Sequence, residues 1–211
     1  MDHIQGLPFF QPLRNRGVEI HIWGPASTTM TLDSRLQKYL SPPLFPVNVR
    51  DLAADLHFHE LPGHIIEIGD FSIRAQLIIH PNPTIGYRIE CGHATVTYLP
   101  DHEPALGSRI FPNDKEWLSG YQLARESDLL IHDTQYTNEE YRSRIGYGHS
   151  SISHAFQFAA LSGVKHFIPF HHDPTHNDDD LDRMFRLAVE EFNPSYAVTP
   201  SQEGMSLEVG C

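Results

Sequence analysis

Residues 71–101 read FSIRAQLIIHPNPTIGYRIECGHATVTYLPD. Phe71–Ile79, Gly86–Cys91 and Ala94–Leu99 are rich in β-branched and aromatic residues, and turn formers part them at Pro81-Asn82-Pro83 and at Gly92. Three strands in a meander are expected. His80 follows the first directly, and Asp101 stands just past the third. A strand terminus anchors the backbone while the next side chain projects off the sheet edge, so both residues are candidates for a site. Pro100-Asp101 and His80-Pro81 are also ordinary turn chemistry, and position alone does not separate the two roles.

Upstream, Gly6–Arg16 reads as a short helix closed by Gly17, and Val18–Trp23 as a strand stopped at Gly24-Pro25. Thr31–Leu40 suits a helix that Ser41-Pro42-Pro43 breaks. Asp55–Leu61 and His64–Ile68 add strands ahead of the meander. Downstream the character changes. Asn113–Glu126 reads as a helix, Asp128–Ile131 as a buried strand, Ser151–Leu161 as a helix ended by Ser162-Gly163, and Lys165–Phe170 as a strand. Asp178–Phe192 is amphipathic, and its acidic start complements the positive end of the helix dipole. Ser195–Thr199 and Met205–Val209 read as short closing strands. A meander followed by alternating helices and strands implies an α+β fold, with mixed sheets and helices packed outside them.

The chain has 211 residues, enough for one domain over residues 1–211 with an ordinary core. No apolar run approaches the roughly 20 residues that cross a bilayer, and Met1–Gly6 lacks the basic and apolar stretches of a signal peptide. The two cysteines, Cys91 and Cys211, fit a reducing compartment, so a cytoplasmic protein without a membrane partner is expected. The formal net charge is -12, and no stripe of Lys and Arg offers itself to a row of phosphates. A small-molecule substrate is therefore expected in preference to a nucleic-acid polymer.

Histidine is the unusual component: 15 of them equal all the lysines and arginines together. It is the commonest metal ligand. Asp2-His3 precedes the first expected helix, His80 and Asp101 end strands, and His171 ends the strand KHFIPF. Two aspartates and three histidines combine hard oxygen with borderline nitrogen donors, a mix suited to Zn²⁺ or Mn²⁺. His57-Phe58-His59 is a second arrangement, because residues two apart on a strand share a face. No Asp-His follows it, so it stands apart from the first set. His172 and His176 read as bystanders, and Asp178–Asp180 as a solvated helix start.

Asp2-His3-Ile4-Gln5-Gly6-Leu7-Pro8-Phe9-Phe10 resembles the tail of the His-x-His-x-Asp-His motif of the metallo-β-lactamase superfamily. It is similar in particular to the branch of phosphoribosyl cyclic phosphodiesterases and tRNA 3′-processing endonucleases. His80 followed by GYRIE, Asp101 in TYLPD, Asp133 in LLIHDTQYT, His149 in GYGHSS and His171 in FIPFHHDP fall in that branch's order. The resemblance implies the αβ/βα four-layer sandwich, here missing part of its N-terminal sheet. It also implies two histidines upstream of Met1, so that a complete site holds two ions. One would sit on those histidines and His80, the other on Asp2, His3 and His171, with Asp101 bridging. His149 would be a general acid oriented by Asp133, although it could instead only introduce the helix that Ser150 or Ser151 caps.

The activity so implied is hydrolysis of small cyclic or nucleotide-like phosphodiesters, and this chain, lacking two histidines of the first ion site, is expected to be impaired in it. Two alternatives stay open: a thioester or lactone hydrolase of the same fold, and a non-catalytic binding module. Sheet left uncovered at the N-terminal side would favour self-association into a homo-oligomer.

Overall fold

The computed structural model describes residues 4–63, 65–105, 108 and 110–210. The chain divides into two compact units, residues 1–63 and 64–211. In the first, β1 (Glu19–Pro25) and β2 (Asp55–Leu61) form a two-stranded parallel sheet. The connection between them contains α1 (Leu32–Tyr39), which starts where the Thr31 side chain accepts the Ser34 N–H. Leu32, Leu36, Leu40 and Val49 are buried, and Ile22, Leu56 and Phe58 of the sheet pack against them.

The expected helix over Gly6–Arg16 is instead two 3₁₀ turns, Leu7–Phe9 and Gln11–Arg14, parted by an extended Phe10. Pro8 and Pro12 explain it. Each suits the start of a turn, but neither has an N–H with which to continue a preceding one.

The second unit is built on a seven-stranded sheet: β3 (Ile66–Ile68), β4 (Phe71–Ile78), β5 (Thr84–Cys91), β6 (Ala94–Leu99), β7 (Leu129–Asp133), β8 (His166–Phe170) and β9 (Ala197–Val198), adjacent in that order. β3 to β6 are antiparallel neighbours, while β6 to β9 are parallel. β5 opposes both β4 and β6, so β4 runs in the same direction as β6, β7 and β8. All four end at one sheet edge.

Between these strands lie α2 (Tyr121–Ala124), α3 (Asn138–Tyr141), α4 (Ile152–Ser162) and α5 (Asp178–Phe192). α4 begins with Ser151 accepting the His154 N–H and ends at Gly163 with φ +65°. Its buried Phe156 and Phe158 meet Leu99, Leu130, Phe167 and Phe185 in the main core.

Sequence and structure part in four places in this unit. Asn113–Glu126 is not one helix but a 3₁₀ turn, Lys115–Trp117, and the short α2. Gly120 between them adopts φ +72°, which ends helical continuation. Ser195–Thr199 contracts to β9, and Met205–Val209 forms no strand. α3 was not anticipated, although Thr137 and Glu140 form a full capping box around it.

Gly86 on β5 shows how tightly this core closes. A methyl group there would press on Leu99, and would stand only 2.9 Å from Ile78 and 3.0 Å from Leu123. Gly86→Ala is expected to lower stability by about 1–3 kcal/mol through overpacking, read as a fall in the urea unfolding midpoint.

Candidate active site

Four side chains leave the common edge of the sheet. His80 lies two residues past β4, Asp101 two past β6, Asp133 is the last residue of β7, and His171 follows β8 directly. His171 takes φ +60°, a left-handed conformation uncommon outside glycine, and turns the chain as it leaves the strand. His149 joins them from the loop between α3 and α4.

The distances are short. His80 Nε2 lies 3.9 Å and His171 Nδ1 3.4 Å from the Asp101 carboxylate. The His149 and His171 rings stack with centroids 4.9 Å apart and planes 6° from parallel, and the edge of one ring meets the face of the other where His80 approaches His149 at 5.3 Å. Asp101, Asp133, His149 and His171 each offer a donor atom within 4.8 Å of the others. Two carboxylates and two imidazoles so disposed, with His80 beside them, fit a divalent ion of the Zn²⁺ or Mn²⁺ kind.

Asp133 differs from the rest because its oxygens are already committed. It is fully buried, and accepts backbone N–H bonds from His102 (3.2 Å), Gln135 (3.1 Å) and Ser150 (3.0 Å). His149 Nδ1 adds a fourth contact at 2.7 Å. A carboxylate offers about four lone-pair positions, so Asp133 is better placed to hold His149 than to ligate. With Nδ1 occupied, His149 keeps Nε2 for other work.

The local electrostatics agree with that division. Burial pulls the His149 imidazole down, but the hydrogen bond and charge of Asp133 outweigh it and leave His149 above its ordinary value. Burial pushes the Asp133 carboxyl up, against the pull of His149. His80 lies below its ordinary value, because burial outweighs the attraction of Asp101, and the neutral imidazole is the form that binds metal. Nearby His102 and His132 are fully buried and hydrogen-bonded at 2.9 Å, and burial drives His132 down to about 3, so this pair is uncharged.

One component was not anticipated from the sequence. Glu103 is fully buried and accepts the Tyr141 hydroxyl at 2.7 Å, the Gly146 N–H at 3.0 Å and the Gly148 N–H at 2.9 Å. It therefore holds the loop that delivers His149. Gly148 has φ +91°, and a methyl group there would collide with Pro81 and the His80 ring. Loop and strand end thus close on one another through a residue without a side chain. The signal was a glutamate set between Asp101 and apolar Ala105, with two glycines just ahead of His149.

Asp2 and His3, expected as ligands, lie outside the described residues. His57 and His59 belong to the other unit, on β2.

A mixed sheet whose parallel strands end in carboxylates and imidazoles is the arrangement of a metal-dependent hydrolase. Residues 1–172 match the family described as Beta-lactamase superfamily domain, and the chain belongs to that superfamily, as a metallo-hydrolase with the metallo-β-lactamase fold. It is similar to Ribonuclease Z of Staphylococcus epidermidis, 23% identical over 237 residues that cover 92% of this chain and 75% of the relative. Among solved structures it resembles the metallo-beta-lactamase fold protein YhfI from Bacillus subtilis, with TM-score 0.66 and 19% identity over 97% of this chain and 72% of that one. Human tRNase Z, short form, superposes with TM-score 0.63 and 18% identity over 92% of this chain and 69% of that one.

These matches correct one expectation. The expectation against a nucleic-acid polymer is overturned, because a relative found by sequence bears the name of a ribonuclease. Net charge was the wrong measure, since it sums the whole surface while phosphate contacts are local. Bound cations also add positive charge that a residue count omits. Among the described residues no helix is long and apolar enough to cross a membrane.

Glu103→Ala is expected to cost about 2–4 kcal/mol, because it leaves two buried N–H groups and a tyrosine hydroxyl without their acceptor; equilibrium urea unfolding measures it. In metal-free protein the His149 ring is expected to titrate above 6.5 by NMR, and Asp133→Asn to bring the midpoint down. The sign for stability follows: the pair's contribution is complete below the unfolded histidine's pKa and fades as pH rises through the folded one.

Proposed function

We propose that this chain hydrolyses phosphodiester bonds, with His149 as general acid, Asp133 as its orienting partner, and Asp101, His80 and His171 as metal ligands. The observation that carries this is the 2.7 Å His149–Asp133 pair standing against Asp101 and His171 at one sheet edge. By family pattern Asp2 and His3 would be further ligands, and residues 1–211 act as one hydrolase domain in a cytoplasmic setting.

Divalent ions, two of Zn²⁺ or Mn²⁺ in a complete site, would supply a hydroxide at neutral pH and offset charge on the phosphoryl oxygens. The chain's own residues do the remaining work. Asp133 raises the hold of His149 on the proton that a departing alkoxide needs, and that proton would pass from Nε2 to the leaving oxygen. Burial of Asp133 and the three N–H groups on it fix the ring's orientation. Glu103 and Gly148 set the loop, so that the His149 ring stands against His80. RNA lies within the substrate range on the strength of the ribonuclease name borne by the S. epidermidis relative.

A thioester hydrolase of the same fold would have less use for a protonated histidine, because a thiolate departs without an acid. The test compares bis(p-nitrophenyl) phosphate, a 2′,3′-cyclic nucleotide, precursor tRNA and a thioester. Turnover of at least one phosphodiester is expected, lost on chelation and restored by Mn²⁺ or Zn²⁺. His149→Ala should lower kcat by about 10²–10⁴ on the substrates that expel an alkoxide, the cyclic nucleotide and precursor tRNA, with metal content unchanged and with little effect on bis(p-nitrophenyl) phosphate. Thioester turnover without phosphodiester turnover, or full activity of His149→Ala on those two substrates, would refute the assignment.

A further inference from the structure

The loop that delivers His149 carries two side chains that the chemistry above leaves unused, Arg144 and Tyr147. The Tyr147 N–H donates to the Arg144 carbonyl at 3.1 Å, so a hydrogen-bonded turn of four residues sets the two at its ends. Gly146 and Gly148 flank Tyr147, and both donate their N–H groups to the buried Glu103, at 3.0 and 2.9 Å. The backbone is thus fastened on either side of Tyr147, yet Tyr147 is 60% exposed. An aromatic ring carried on fixed backbone has little further freedom to lose when a flat partner covers it.

Arg144, at the other end of the turn, is steadied from one side. Its guanidinium carbon lies 4.8 Å from the centre of the Tyr136 ring, and Nη1 is 3.6 Å from an oxygen of Asp173. Tyr136 in turn meets the His149 ring edge to face at 5.9 Å. A guanidinium has five N–H donors, more than these contacts use, and 35% of the Arg144 side chain remains exposed. A flat ring and an oriented cation therefore stand together beside His149.

Their place decides what they would recognise. His149 as general acid, the reading on which this inference rests, stands where the leaving oxygen departs. The group attached to that oxygen then lies toward the loop that bears His149, within reach of Tyr147 and Arg144. A nucleoside there offers a base for the first and its next phosphate for the second. Bases of any sequence stack on aromatic rings, and a guanidinium matches two phosphate oxygens at once. A departing methanol offers neither.

We propose that Tyr147 and Arg144 form a subsite for a departing nucleotide, with the base stacked on Tyr147 and the next phosphate paired with Arg144. The preferred substrates are then internucleotide phosphodiesters of a single strand, ahead of cyclic phosphates and simple esters. The oxygen of water joins phosphorus and releases one proton to solvent. The bond from phosphorus to the departing nucleoside breaks, and the oxygen freed there takes the His149 proton.

The dinucleotide ApA is compared, with Mn²⁺ present, against the methyl esters of adenosine 5′- and 3′-phosphate, in which methanol replaces the departing nucleoside. Tyr147→Ala is expected to lower kcat/KM for ApA about 5–150-fold more than for the methyl esters, mainly through KM, and Tyr147→Phe to restore most of it. A terminal phosphate on the departing nucleoside, as in pApA or ApAp, should lower KM, and Arg144→Gln should remove that advantage. Equilibrium dialysis of pApA and ApAp against His149→Ala protein with Mn²⁺ reads binding without turnover, and adding Tyr147→Ala should weaken it by a similar factor. Equal losses on ApA and the methyl esters, or dinucleotide binding indifferent to the Tyr147 ring, would overturn the proposal, while turnover of the methyl esters would leave the hydrolase reading standing. Ring-dependent binding with no phosphodiester turned over would keep the subsite and sink the hydrolase reading instead.

Discussion

A carboxylate with no contact with water sits at the end of β7, and the geometry around it depends on its being satisfied. Asp133 receives N–H groups from the segments that follow β6 and β7 and from the loop ahead of α4, together with the ring of His149. Burying such a group without partners would cost several kcal/mol. Each donor is therefore held where Asp133 requires it, and the three chain segments are tied to one point. Two of the donors, His149 and Ser150, are adjacent, so the loop cannot satisfy the carboxylate without also presenting the histidine.

Glu103 repeats the device one layer away. It too is buried, and its acceptors are filled by Tyr141 and by two glycine N–H groups of the same loop. Only glycine tolerates the φ of Gly148 and the nearness of His80. The precision of the site thus comes from buried acids whose bonding leaves the backbone few alternatives. It is a layer of support beneath His149 and the side chains gathered around it.

The acidic balance of the chain gains a different meaning in this setting. A net charge of -12 would deter a polyanion from an average surface. A hydrolytic centre is not an average surface: its acids gather in one place, where they attract divalent cations, and the cations in turn attract phosphate. Acidity at the ends of β6 and β7 is then compatible with a phosphodiester, whether small or part of an RNA strand.

Much of this was readable along the chain. Period-two alternation and turn formers marked β2, β4 and β6 almost to the residue, and Asp178–Phe192 showed its helical period and its acidic start. His80, Asp101 and His171 could be singled out because donors at strand ends are local features, whereas Asp133 and His149 came only from the family resemblance. Proline in Gly6–Arg16 and a left-handed Gly120 defeated the helices read there, since periodicity does not register a missing N–H or a positive φ. Glu103 was out of reach for another reason, because its partners lie 38, 43 and 45 residues away. Sequence pattern reports which residues share a strand or a helix face. Which buried acid must find which distant N–H is set only when the sheet closes, because that cost arises from losing water in three dimensions and leaves no periodic trace in the chain.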